Sequence, residues 1–125
     1  MKVHRKKGYT MSEIIVVIAV LGFLAAVVIP TYSGLRRASL ENAAVQNVRL
    51  VNAARDTYAL TVPGASSQWA KAGDDRARLA LLLGENLLAG DADQYLTMTG
   101  DYAVKLTGAV RGKTVLTCKG VNVEY

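Results

Sequence analysis

The sequence predicts an α+β fold in which a long N-terminal stem helix packs on a small antiparallel sheet of about three strands. Residues 14–35 contain no charged side chain. Apolar residues then recur every three or four positions through 40–58, which indicates an amphipathic helix. Three short runs within residues 102–125 alternate between apolar side chains and polar or small ones, as strands do. The stem helix is therefore expected to have a membrane-compatible first half and an amphipathic second half that covers the sheet.

Length and charge limit the class of protein. A chain of 125 residues suffices for one compact domain and an anchor. Its 15 Lys and Arg residues outnumber 10 acids, for a net charge of +5. Four of these bases (Lys2, Arg5, Lys6 and Lys7) lie in residues 1–8, which contain no acid, so the remainder is almost neutral. Nucleic-acid binding, which would need a basic face on the folded domain, is not predicted.

Few side chains are suited to catalysis or metal binding. Cys118 is the only cysteine and His4 the only histidine, so neither an intramolecular disulfide nor a histidine-based site is expected in the folded part. No catalytic residue, cofactor or metal is predicted. Asp91, Asp93 and Asp101 are interpreted as a solvated acidic turn, with calcium binding left open. Cys118 is expected to be a buried structural thiol.

The uncharged segment has the length of a membrane span. About 22 helical residues extend about 33 Å, against ~30 Å of hydrocarbon. The basic cluster before the segment is stronger than Arg36-Arg37 after it, which predicts a single-pass membrane protein with a cytoplasmic N-terminus and a translocated C-terminal domain. Glu13 begins the apolar run, where a carboxylate is costly and indicates a function. Pro30 is expected to bend the helix around residues 26–30.

Small residues within the segment favour close approach of another helix. Gly22 and Ala26 have the small-xxx-small spacing, and Ala19 lies on the same side. This pattern predicts a packing surface for neighbouring helices.

The order of the N-terminal features closely resembles the cleavage and methylation signal of type IV prepilins and type II secretion pseudopilins. A basic leader ends in Gly8 and is followed by YTMSE and then IIVVIAVLGFLAAVVIP. Cleavage after Gly8 would make Tyr9 the first residue, Glu13 the fifth and Pro30 the twenty-second, as in that family. Tyr9 replaces the usual Phe, and Ser12 replaces the usual aliphatic residue.

The resemblance implies roles for these residues. Prepilin peptidase would cut between Gly8 and Tyr9, Tyr9 would be N-methylated, and Glu13 would pair with the amine of a neighbouring subunit during assembly. The implied partners are prepilin peptidase, other pilin or pseudopilin subunits in a homo- or hetero-filament, and the inner-membrane assembly machinery. The chain then divides into a cleaved leader (1–8), a membrane and filament-core helix (9–35) and a pilin-like head (36–125). The subunit would finally lie in a periplasmic or extracellular filament.

The rest of the chain is expected to form the head. The stem helix continues to about residue 61 and ends at Val62-Pro63-Gly64. Its apolar stripe is Leu40, Ala44, Val48, Val51, Ala54 and Tyr58, and its polar side is Glu41, Asn42, Arg49, Asn52, Arg55 and Asp56. Residues 65–73 are predicted to be a loop around Trp69, and Asp74 to cap a short Leu-rich helix. Residues 85–101 are assigned to loop or short helix. Three strands are predicted around Val104, Leu116 and Val123, with turns at Arg111-Gly112 and Lys119-Gly120.

Three other interpretations are compatible with parts of the sequence: a secreted protein, an anchored binding module and a DNA-uptake pilin. An ordinary secretory signal peptide would be cleaved near Leu24-Ala25-Ala26, although Glu13 and the long apolar run argue against it. A membrane-anchored periplasmic binding module would keep its leader and form no filament. A DNA-uptake (competence) pilin would use a local basic patch at Arg111, Lys113 and Lys119. The sequence does not distinguish pseudopilus, pilus and competence systems, nor a major subunit from a minor one.

Overall fold

The computed structural model describes residues 8–125, which fall into two units, one ending at Arg36 and the other comprising Arg37–Tyr125. Residues 1–7, with the predicted leader bases Lys2, Arg5, Lys6 and Lys7, lie outside the described residues.

The predicted stem helix is confirmed as α1 (Met11–Thr61). It begins two residues after Tyr9 because Thr10 occupies the position of the N-terminal cap. The predicted stripe is buried from Ala44 to Tyr58. After Thr61 the chain turns at Pro63 and at Gly64, whose φ of 73° suits glycine.

Pro30 lies inside α1, and the helix continues through it. Proline donates no backbone hydrogen bond, so the helical ladder lacks one link at this point. Two hydroxyl groups bond to carbonyls on either side: Thr31 Oγ1 donates to Val27 O (3.0 Å), and Ser33 Oγ donates to Pro30 O (2.9 Å). The expected bend at residues 26–30 stays a prediction.

The prediction of a loop over residues 65–73 was wrong, because Ala65–Lys71 form a helix, α2. Its small and polar residues give little hydrophobic periodicity. Ala65 and Trp69 are nevertheless four residues apart, on one face of the helix, and both are buried. Burial of the large Trp69 indole therefore favours a helix over a loop in this segment.

Two further helices complete the helical part of the head. The predicted helix is α3 (Asp75–Gly84), with Asp74 as its cap: Ala77 N donates to Asp74 Oδ1 (2.7 Å). Residues 85–101 contain α4 (Ala92–Leu96), for which Asp91 is the cap.

The predicted antiparallel sheet is confirmed, with strands β1 (Tyr102–Lys105), β2 (Val115–Cys118) and β3 (Val121–Val123) in the order β1-β2-β3. Its register aligns Val104, Leu116 and Val123 in one row across the sheet. Lys119 and Gly120 both have positive φ and form the two-residue turn between β2 and β3.

The core of the head lies between α1, the short helices and one face of the sheet. Its fully buried large side chains include Val48, Val51, Tyr58, Trp69, Leu79, Leu82, Val104, Leu106 and Leu116. Val121 departs from the alternation expected for β3, since 69% of the residue is exposed. It pairs with Cys118 at the end of the sheet, where Cys118 itself is only half-buried and not buried as expected.

Arg55 is the largest departure from the expected pattern of α1. The helical pattern predicts that it lies on the polar side of the helix, but the structure buries it completely. The physical reason is a set of loop carbonyl groups that accept hydrogen bonds from its guanidinium group, which the helical period alone does not reveal.

The burial of Tyr58 predicts alkaline sensitivity of the head. Removal from water raises the pKa of this phenol above its ordinary value of 10.0, and Glu85 adds to the effect. Because the folded-state pKa is the higher one, the stabilisation is complete below pH ~10 and is lost as the pH rises through the folded-state pKa. Tm measured from pH 8 to 12 should therefore fall above pH 10, and less steeply for Tyr58→Phe. Equal slopes for both proteins would contradict this assignment.

Candidate functional site

The N-terminal turn of α1 is exposed and is stabilised by its own side chains. Gly8, Tyr9 and Thr10 are non-helical, and 84% of Tyr9 is exposed. The bond between Gly8 and Tyr9 therefore lies in exposed, non-helical backbone. The helix α1 begins at Met11, two residues after Tyr9. A protease needs its substrate in such an accessible, non-helical form, so the geometry is compatible with cleavage at this bond.

Thr10 and Glu13 form a reciprocal pair of hydrogen bonds at the start of α1. Thr10 N donates to Glu13 Oε2 (2.8 Å), and Glu13 N donates to Thr10 Oγ1 (3.3 Å). This is a capping box, in which each side chain satisfies a backbone donor that the first helical turn leaves unpaired. The carboxylate also lies at the positive end of the helix dipole, which stabilises its charge.

The capping box is a feature that the sequence interpretation missed. Thr10-Met11-Ser12-Glu13 fits the Ser/Thr-x-x-Glu signature directly before an apolar run, so the signal was present. The oxygen Oε2 is the only carboxylate oxygen of Glu13 that is hydrogen-bonded within residues 8–125. Oε1 is then available to a second donor.

The predicted packing residues lie on the exposed part of α1. Ala19, Gly22 and Ala26 are all exposed, and a methyl group added at Gly22 would meet no atom within 4 Å. Their spacing places them on one side of the helix. The neighbouring large apolar side chains, such as Ile15, Leu21 and Phe23, are more than half exposed.

The site residues thus fall into separate groups along α1. Gly8, Tyr9 and Glu13 lie together at the N-terminal turn. Pro30 follows Glu13 by about 25 Å at the helical rise and makes no contact with that turn. Within the described chain, α1 is the one helix long and apolar enough to cross a membrane, and none of its most apolar window is buried.

The acidic residues of the head do not converge. Asp91 accepts a hydrogen bond from Ala92 N at the start of α4, and Asp93 forms an ion pair with Arg76. Asp101 occupies a turn with φ of 64°. Among residues 8–125, no three His, Cys, Asp or Glu side chains are grouped as metal ligands would be.

The fold and the N-terminal turn define a class of chain: a pilin-like α+β domain that continues from an apolar helix with a prepilin-type signal. Residues 3–29 match the family model described as the prokaryotic N-terminal methylation motif. This match confirms the resemblance to prepilins and pseudopilins.

Curated relatives are similar to just under half of the chain. The type II secretion system core protein G of Pectobacterium carotovorum subsp. carotovorum is 37% identical over 57 residues, which cover 46% of this chain and 36% of the relative. The protein of the same name from Aeromonas hydrophila is 35% identical over 60 residues, which cover 48% and 42%. The matched region is thus about two fifths of each relative. No solved structure gives a significant match.

Proposed function

We propose that this chain is a structural subunit of a type II secretion pseudopilus or a related type IV pilus-like filament. In this proposal prepilin peptidase removes residues 1–8, Tyr9 is N-methylated, and the mature subunits assemble through residues 9–35. The observation that carries the proposal is the exposed N-terminal turn, in which Glu13 lies beside the future N-terminus and has one carboxylate oxygen available.

Cleavage after Gly8 changes the charge of this turn. The leader carries Lys2, Arg5, Lys6 and Lys7, and its removal leaves one α-amino group on Tyr9. An α-amino group has a pKa near 7.7–8.0 and is largely protonated at neutral pH. Methylation keeps that positive charge on the nitrogen atom. The mature N-terminus therefore presents one cation and, at Glu13, one anion four residues away.

Opposite charges at this position favour subunit addition in a specific register. Two unit charges 4 Å apart attract by about 1 kcal/mol in water and by about 4 kcal/mol at an effective dielectric constant of 20. A neighbouring amine bound at Glu13 also relieves the cost of burying either charge alone. Oε2 stays engaged with Thr10 N, which holds the carboxylate in place, while Oε1 accepts from the incoming amine.

The apolar part of α1 supplies the remaining contacts. Its side chains from Ile14 to Leu35 are exposed in the single subunit and so require a membrane or other subunits to cover them. Ala19, Gly22 and Ala26 allow the backbones of neighbouring helices to approach closely. We propose that the helix resides in the inner membrane, N-terminus cytoplasmic, until the inner-membrane machinery transfers it to the filament.

The intact mass and N-terminal sequence of the membrane-extracted protein test this function. We expect a chain that begins at Tyr9 and carries one additional methyl group. A chain that retains Met1 to Gly8 beside an active prepilin peptidase would instead support an anchored module. A chain that begins after Ala26 would support a secreted domain.

A further inference from the structure

Arg55 is buried in the head without an acidic partner. Its residue surface is 0% exposed, and within residues 8–125 the one ion pair closer than 4 Å joins Arg76 and Asp93. Burying a charge is costly unless it is paired or fully hydrogen-bonded. Burial lowers the pKa of Arg55 and the neighbouring Arg78 lowers it further, while the carboxylates of Asp56 and Asp75, which form no ion pair with Arg55, offset only part of this effect. The arrangement therefore needs compensation from the groups that surround the guanidinium.

The compensation comes from residues 106–114, which connect β1 to β2 and are termed the 106–114 segment. Arg55 Nη2 donates to Ala109 O (2.7 Å) and Thr107 O (3.3 Å), and Nε donates to Val110 O (3.2 Å). Nη1 donates to Thr114 Oγ1 (3.0 Å). Three main-chain carbonyl groups and one hydroxyl oxygen thus converge on one guanidinium group.

Neighbouring side chains bond to the carbonyls that Arg55 does not reach. Trp69 Nε1 donates to Gly108 O (3.3 Å), and Arg78 donates to Leu106 O. The five consecutive carbonyl groups from 106 to 110 each accept a hydrogen bond from a side chain. The guanidinium carbon of Arg55 also lies 5.0 Å from the centroid of the Trp69 ring, within the range of a cation–π contact.

Gly112 gives a second, independent sign that the segment is built around this group. A Cβ atom at this position would lie 2.9 Å from Ala109 O and 3.1 Å from Arg55 Nη2. Any side chain would crowd the guanidinium and one of its acceptors. The tight turn, in which Gly112 N donates to Ala109 O (2.7 Å), therefore brings the backbone against the guanidinium at a position where no side chain fits.

We propose that the 106–114 segment is a cation-binding loop whose cation is supplied by the chain itself, as the guanidinium of Arg55. Converging carbonyl oxygens are the ligands that proteins offer to hard cations, and their dipoles repel one another without a positive charge between them. The planar guanidinium provides several donors in fixed directions, whereas an ammonium is a compact point charge. The site therefore selects its cation by shape as well as by charge, and the loop needs no external ion. This inference is independent of the proposed filament function.

The single tryptophan makes the site directly observable, since Trp69 contacts the guanidinium. In the full chain in detergent micelles, we expect Arg55→Ala to lower Tm by about 10–20 °C and to shift the Trp69 emission to longer wavelength. Ethylguanidinium, which replaces the deleted atoms, should restore part of the Tm at millimolar concentration, and ethylammonium should not. Arg49→Ala, which removes an exposed arginine from the same helix, is the matched control and should leave Tm and emission unchanged.

Arg55→Lys keeps the charge but loses the planar donor group, and it provides a second test if Arg55→Ala does not fold. We expect its Tm to fall by nearly as much as that of Arg55→Ala. A wild-type Tm for Arg55→Lys, or equal or absent rescue by the two small cations, would overturn the proposal. So would a fall in the Tm of the wild-type chain on addition of EDTA, because the loop would then depend on an external metal ion.

Discussion

A Gly8→Val variant is expected to accumulate in the membrane as an uncleaved precursor. Gly8 is exposed and non-helical, and a Cβ added there would meet no atom within 4 Å. The substitution therefore leaves the fold of the chain unchanged, so that a processing defect reports on the peptidase. A branched side chain next to the cleaved bond narrows the backbone conformations available to the precursor and obstructs its approach to the enzyme. We expect the cleaved fraction, measured by immunoblot and intact mass, to fall at least tenfold.

Gly34→Val is the matched control for this experiment. Gly34 is also exposed and would also meet no atom within 4 Å, but it lies near the far end of the apolar segment, 26 residues after Gly8. Its replacement should leave processing at the wild-type level. Normal cleavage of Gly8→Val, with the same peptidase and expression level, would be incompatible with the proposed cleavage site.

Glu13→Gln is expected to be processed normally and to assemble at least tenfold less filament. Gln serves in a capping box as Glu does, so the start of α1 is retained. The carboxylate charge is lost, however, and with it the attraction to the amine of the next subunit. A tenfold loss corresponds to about 1.4 kcal/mol, less than the attraction of such a pair in a bundle. The sheared filament fraction and the membrane-retained fraction measure the result.

Thr10→Val separates the charge of Glu13 from the cap. This variant removes the Oγ1 acceptor, which lies 3.3 Å from Glu13 N, and leaves the carboxylate intact. If Glu13→Gln assembles like the wild type while Thr10→Val does not, the cap is the essential feature and the charge pairing is wrong. Defects in both variants would show that assembly also needs the carboxylate to be held in position.

The long helix and the sheet were predictable because their signals are periodic. Val48, Val51 and Tyr58 repeat at helical spacing, and Tyr102, Val104 and Leu106 alternate with the small Ala103 and the charged Lys105, so burial follows directly from position. At the N-terminus, the spacing of Gly8, Glu13 and Pro30 identifies the prepilin-type signal. These features depend on local sequence and can be read without tertiary structure.

The missed features depend on contacts between distant residues. The burial of Arg55 is compensated by carbonyls more than fifty positions later in the chain, and backbone carbonyls leave no trace in the side-chain pattern. The helix at residues 65–71 buries Trp69, whose Nε1 donates to Gly108 O, 39 positions later in the chain. The capping box is different, since its signature, Thr10-x-x-Glu13, is local and can be recognised in the sequence alone.

The shortness of β3 limits aggregation through the sheet edge when many copies of the chain are close together. β3 has only three residues, and its outer edge is flanked by Lys119 and Glu124, so the unpaired backbone groups at that edge form too short a template for another strand. Proteins confined to a membrane are crowded in two dimensions, where an open sheet edge would promote irreversible aggregation. The truncated, charged edge at β3 disfavours strand pairing between copies on that side of the sheet.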